Sequence, residues 1–154
     1  MKFNKATLEY EEWLGRHLRI VVDELAYKHE QMRSAPFPFF RATYYRWAQI
    51  FPEVCGKVAK APEVLAVGDL HVENFGTWRD MEGRLVWGVN DFDEAWRLPY
   101  TNDLVRLTSS ALIAGMTSRA PDAAQAILDG YRRALETGGR PYTLAERHGI
   151  LRVG

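Results

Sequence analysis

The fold is decided by VLAVGDLHVENFG, Val64–Gly76, and by RLVWGVNDFDEA, Arg84–Ala95, which follows it after a short charged turn. Each is an apolar run that ends by delivering acidic and amide side chains to a loop. The first delivers Asp69, His71 and Asn74; the second delivers Asn90, Asp91, Asp93 and Glu94. Val64–Val67 reads as a compact buried strand. Phe75–Arg79 and Arg84–Val89 read as a hairpin closed by Asp80-Met81-Glu82-Gly83, with Gly83 free to take a positive φ. A hairpin returns the chain to its start, so Asp91 is expected beside Asn74.

Working outward, the flanks read as helix. Leu14, Leu18, Val21, Val22 and Leu25 form one apolar stripe within a long helical segment, residues 6–32, with Gly15 as its weak point. Ser34-Ala35-Pro36-Phe37-Pro38 breaks it. Phe39–Phe51 is an aromatic helix whose Tyr44, Trp47 and Phe51 read as core rather than as a stacking box. Pro52 and Pro62 bracket a connection. Thr101 or Asn102 caps a helix to about Ser118, with Leu104, Leu107, Ala111, Ile113 and Ala114 as its apolar positions. Pro121 opens another, with Ala124, Ile127, Leu128, Tyr131 and Leu135 inward, which Gly138-Gly139 stops. The tail from Pro141 reads as one more short helix. The expected class is α+β: mostly helical, with a small β-hairpin region carrying the chemistry. We read one domain over 1–154, organised as 1–38, 39–100 and 101–154.

Composition narrows the function. The 154 residues carry 20 basic and 20 acidic side chains, so the formal charge is zero and no basic stripe marks a nucleic-acid surface. No apolar run is long enough for a membrane span, and the N-terminus lacks a signal core. The single cysteine, Cys55, has no internal disulfide partner and reads as a small buried apolar residue. The expected compartment is the cytoplasm.

Phosphoryl transfer needs a carboxylate that orients and deprotonates a hydroxyl, and a hard cation held by oxygen ligands. Asp69, Asn74 and Asp91 supply that minimal set. Two carboxylates as near in sequence as Asp91 and Asp93 repel unless a cation or proton lies between them. Read alone, each residue has a plainer alternative: a turn for Asp69 and Asn74, a solvated cluster for Asp91 and Asp93, a structural ring for His71, a helix N-terminal acid for Asp103.

GDLHVEN followed by VNDFDEA resembles the catalytic and metal loops of the aminoglycoside-phosphotransferase and protein-kinase-like superfamily. More closely, MRSAPFPFFR, GDLHVENFG, NDFDEA and DLVRL resemble bacterial domain-of-unknown-function family 2252, over about residues 28–118. The resemblance implies a kinase C-lobe-like fold, with ATP and Mg²⁺ as cofactors and a small-molecule hydroxyl as substrate. By the same resemblance Asp69 matches the catalytic base and His71 an orienting loop histidine. Asn74 and Asp91 match metal ligands, and Asp93 is a secondary ligand or plain surface. Asp103 matches an acid that braces the catalytic loop.

The nucleotide-binding end is not legible. There is no G-x-G-x-x-G, and the lysines, Lys2, Lys5, Lys28, Lys57 and Lys60, all precede the catalytic loop. The expectation is therefore a partial kinase-like domain that needs a second lobe or a partner chain. The competing expectation is a non-catalytic pseudoenzyme or partner-binding half. A metallophosphoesterase also carries a strand followed by GDLH, but its further metal histidines have no counterpart here.

Overall fold

The computed structural model describes residues 2–144, and over them the protein is α+β. The chain divides into two compact units, Met1–Ala61 and Pro62–Gly154. The division falls inside the 39–100 segment that the sequence reading grouped together.

The first unit is helical: α1 Phe3–His17, α2 Val22–Ser34, α3 Pro36–Ala42 and α4 Tyr44–Cys55. The single helix expected over 6–32 is two helices. Its proposed stripe is not a core face, since Leu18, Val21 and Val22 are 51, 55 and 76% exposed. Leu18 leaves helical geometry and the chain folds back over Gly15, where an added Cβ would stand 3.3 Å from Ile20 Cδ1. Only glycine admits so close an approach without displacing that isoleucine.

The proline break is real but only one residue long. Ala35 is extended, and Pro36 opens α3 because a proline at the first helical position forfeits no hydrogen bond. Pro52 lies inside α4 instead of ending it. The core of this unit is Ala6, Phe40, Tyr44 and Phe51, joined by ring contacts from Trp47 to Phe40 and Phe51.

The second unit begins with β1 Glu63–Ala66. A short 3₁₀ turn at Val72–Asn74 leads into β2 Phe75–Arg79 and β3 Leu85–Val89. This hairpin is as expected, and Gly83 takes φ +77° in its turn. Then come β4 Trp96–Pro99, α5 Thr101–Ile113, α6 Ala120–Glu136 and β5 Tyr142–Thr143.

β4 was not foreseen. It pairs antiparallel with β1, Val64 against Leu98 and Ala66 against Trp96, in a two-stranded sheet. β1 is consequently not a buried strand: Ala66 is buried, but Leu65 is 79% exposed. β5 pairs antiparallel with β3, so Tyr142 and Thr143 extend the hairpin sheet where a helix was expected. The rest of that expected helix lies outside the described residues.

The two long helices also differ from expectation. α5 ends at Ile113, and its buried residues are Asn102, Arg106, Ser110 and Ala111, so the inward face is mostly polar. On α6 the expected inward Leu128, Tyr131 and Leu135 are 44, 37 and 66% exposed, whereas Ala123 is buried. Tyr131 stacks instead on Tyr100, with centroids 5.8 Å apart. Among the described residues no helix is long and apolar enough to cross a membrane.

Candidate functional site

The loop from Val67 to Asn74 leaves β1 and is held from behind by α5. Gly68 has φ +88°, a conformation that favours glycine. The Val67 and Gly68 N–H groups both donate to Asp103, at 2.7 Å to Oδ2 and 3.0 Å to Oδ1. Asn102 Nδ2 donates to the Gly68 carbonyl at 3.1 Å and to Asp103 Oδ1 at 3.2 Å. Further along α5, Ser110 Oγ accepts the Val72 N–H at 3.1 Å and donates to the Leu107 carbonyl at 2.8 Å. Between them, Arg106 Nε and Nη2 both donate to Asp69 Oδ1, at 2.6 and 2.5 Å.

Asn102, Arg106 and Ser110 recur every four residues, so one helical face grips the loop at three points. Arg106 is 1% exposed. A buried guanidinium is tolerable only when paired and hydrogen-bonded, and Asp69 supplies the charge. The sequence reading offered Asn102 only as a helix cap, which it is not, since α5 begins at Thr101 without a side-chain cap, and it gave Arg106 and Ser110 no role. Their legible signal was polar residues at four-residue spacing in an otherwise apolar helix.

The expected site residues divide between interior and surface. His71 is 2% exposed, with Nε2 4.0 Å from Asp69 Oδ2. Asn74 is 3% exposed; its Oδ1 accepts the His71 N–H at 2.6 Å, and its N–H reaches back to the His71 carbonyl at 3.0 Å. Those two bonds close the turn that carries the chain into β2. The Asn74 carbonyl in turn accepts the Asn90 N–H at 2.9 Å, which ties the end of the first loop to the start of the second. Asp91 and Asp93 are exposed, and Asp91 Oδ1 accepts the Asp93 N–H at 3.3 Å.

Asp69, Asn74, Asp91, Asp93 and Glu94, with Val67, line one cavity of about 150 Å³. Its oxygen donors are carboxylates and one amide. Their chemistry fits a hard cation that keeps part of its water shell, which needs one or two carboxylates rather than a full protein cage. Among the described residues, however, no three His, Cys, Asp or Glu side chains are grouped so as to hold a metal ion.

The remaining histidines lie elsewhere. His29 Nε2 is 2.6 Å from Glu11 Oε1, and His17 Nδ1 is 2.7 Å from the Trp13 carbonyl. His148 lies outside the described residues. Cys55 is a free thiol, partly buried, and burial pushes its pKa up.

A family model described as "Uncharacterized protein conserved in bacteria (DUF2252)" matches residues 19–149. The chain belongs to this family. No curated protein and no solved structure matches it. The DUF2252 match takes in every residue of the cavity and the whole gripping face of α5, and it begins after α1.

Proposed function

We propose that this DUF2252 chain is the catalytic-loop part of a kinase-like, Mg²⁺-dependent phosphotransferase that uses ATP and acts on a small-molecule hydroxyl. What supports the reading is the convergence of Asp69, Asn74, Asp91 and Asp93 on one small cavity, from two loops separated by a hairpin. In this reading Asn74 Oδ1, which keeps a second lone pair beside its bond to His71, and the Asp91 carboxylate hold the cation, with Asp93 as a further ligand. The ion would supply charge neutralisation on the transferred phosphoryl group. Asp69 orients the acceptor hydroxyl and takes its proton. His71, buried behind Asp69, limits how that carboxylate turns. Asp103 holds the backbone of the loop. The cavity supplies the metal and phosphate end of the site, and the groups that hold the rest of the nucleotide lie outside it.

Thermal unfolding with and without Mg-ATP tests it. A ligand at about 100 times its Kd stabilises a one-site protein by about 2.7 kcal/mol. We expect a rise in Tm with Mg-ATP that Asp91→Asn removes. A folded protein whose Tm stays the same at millimolar Mg-ATP overturns nucleotide binding by this chain.

A second reading, a partner-binding half without catalysis, is favoured by the apolar side chains that one face of the β1–β4 pair leaves in solvent, Val64 at 42% and Trp96 at 72% exposed. It requires association in sizing experiments that Trp96→Ser weakens. A monodisperse monomer across the micromolar range overturns it.

A further inference from the structure

Four carboxylates line the cavity, Asp69, Asp91, Asp93 and Glu94, and the buried Arg106 is bonded to Asp69. That asymmetry is informative. Arg106 donates twice to the same oxygen, Asp69 Oδ1, from a position 1% exposed to solvent. Guanidinium does not deprotonate in proteins, so its charge is permanent. A carboxylate with both a neutralised charge and one oxygen engaged by two N–H groups is a poor cation ligand. Asp91 and Asp93 differ: they are exposed, and the bond described between them is a 3.3 Å contact from a neutral backbone N–H.

We infer that Arg106 is a positioning residue that partitions the acids of this site. It cancels Asp69 and fixes its Oδ1, which directs the divalent cation to Asp91 and Asp93. The inference rests on the reading that the cavity takes such a cation. It adds that Asp69 and Arg106 act toward the ion as a neutral pair.

Mn²⁺ binding to the whole chain, followed by electron paramagnetic resonance at low ionic strength, separates the two. Asp91→Asn should weaken Mn²⁺ binding by about tenfold or more, because a ligand is lost. Arg106→Gln exposes the cavity to an uncompensated Asp69 charge and should tighten binding, by about threefold to tenfold for one nearby unit charge. Asp69→Asn leaves the guanidinium uncompensated and should weaken binding by a similar factor.

The double variant Asp69→Asn/Arg106→Gln removes both charges together and should return to within about twofold of the parent protein. A purely structural Arg106 would neither reverse the sign of the effect nor restore it in the double variant. If Arg106→Gln alone fails to fold, the double variant decides, since it leaves no buried charge unpaired. A double variant that binds as weakly as Asp91→Asn makes Asp69 an ion ligand and overturns the inference while the cation site stands. A parent protein that binds no Mn²⁺, or that binds it equally well after Asp91→Asn, overturns the cation site and this inference with it.

Discussion

The Asp103 carboxylate accepts the Gly68 N–H at 3.0 Å from a position 35 residues further along the chain. Its other oxygen takes the Val67 N–H at 2.7 Å, so one side chain satisfies two consecutive backbone donors. Consecutive N–H groups rarely point the same way, and the positive φ of Gly68 is what turns them toward one acceptor. The loop that carries Asp69 is thus shaped by a helix that follows it.

Asp103→Ala therefore strips two donors of a charged acceptor. Hydrogen bonds to charged groups contribute about 1.5–3 kcal/mol each, and we expect a net loss of about 3 kcal/mol by urea unfolding. Asp103→Asn keeps one acceptor oxygen and should lose about half as much. A loss below about 1 kcal/mol for the alanine variant would show that water replaces the carboxylate.

Ser110 is fully buried and bridges the Val72 N–H to the Leu107 carbonyl. Ser110→Ala removes the acceptor and leaves the Val72 donor in the interior, at a cost of about 1–3 kcal/mol. Amide hydrogen exchange at Val72 should accelerate in the variant. Unchanged protection there would mean that another group has taken over the bond.

Gly76 stands under the Asn90 side chain. A Cβ built there would lie 2.6 Å from Asn90 Nδ2, so that side chain would have to move. The obstructing atom is the end of an exposed, flexible side chain, so Gly76→Ala should turn Asn90 aside at little cost and change stability by less than about 1 kcal/mol in thermal melts. A loss above about 2 kcal/mol would show that the Asn90 side chain is held in place.

Tyr45 gives a pH dependence. Burial, opposed in part by the 2.8 Å hydrogen bond with Thr7, pushes its phenol above the ordinary value of 10.0. The folded pKa is raised, so the stability it contributes is fully present below the unfolded pKa of about 10 and is lost as the pH rises through the folded value. Thermal melts from pH 8 to 11 should show a decline that starts near pH 10 and is shallower in Tyr45→Phe. An identical decline in both proteins would assign it to other groups.

How much could be read in advance follows from the range of each interaction. Local rules located the hairpin Phe75–Val89, its glycine turn, the proline-opened α6 and the glycine stop after it, whereas the aromatic helix expected over Phe39–Phe51 is split between α3 and α4 at Thr43. Turn chemistry and caps act within a few residues, so they are written in consecutive letters. The acids and the amide of the cavity, Asp69, Asn74, Asp91 and Asp93, were legible for the same reason: each follows an apolar strand or turn that ends beside it.

Tertiary structure alone decided the rest. The apolar spacing of Leu14 to Leu25 suits a stripe, yet the fold-back over Gly15 leaves three of its five residues in solvent. β4 has only four residues and exists because β1 offers it a partner. Above all, the amino-acid sequence of α5 suggested an apolar inward face, and the molecule buries Asn102, Arg106 and Ser110 instead. Burial of such groups depends on finding partners, and theirs are Gly68, Asp69 and Val72, more than thirty residues earlier. The sequence by itself named the acids of the cavity. Which of them Arg106 neutralises was settled only when the loop and the helix were brought together.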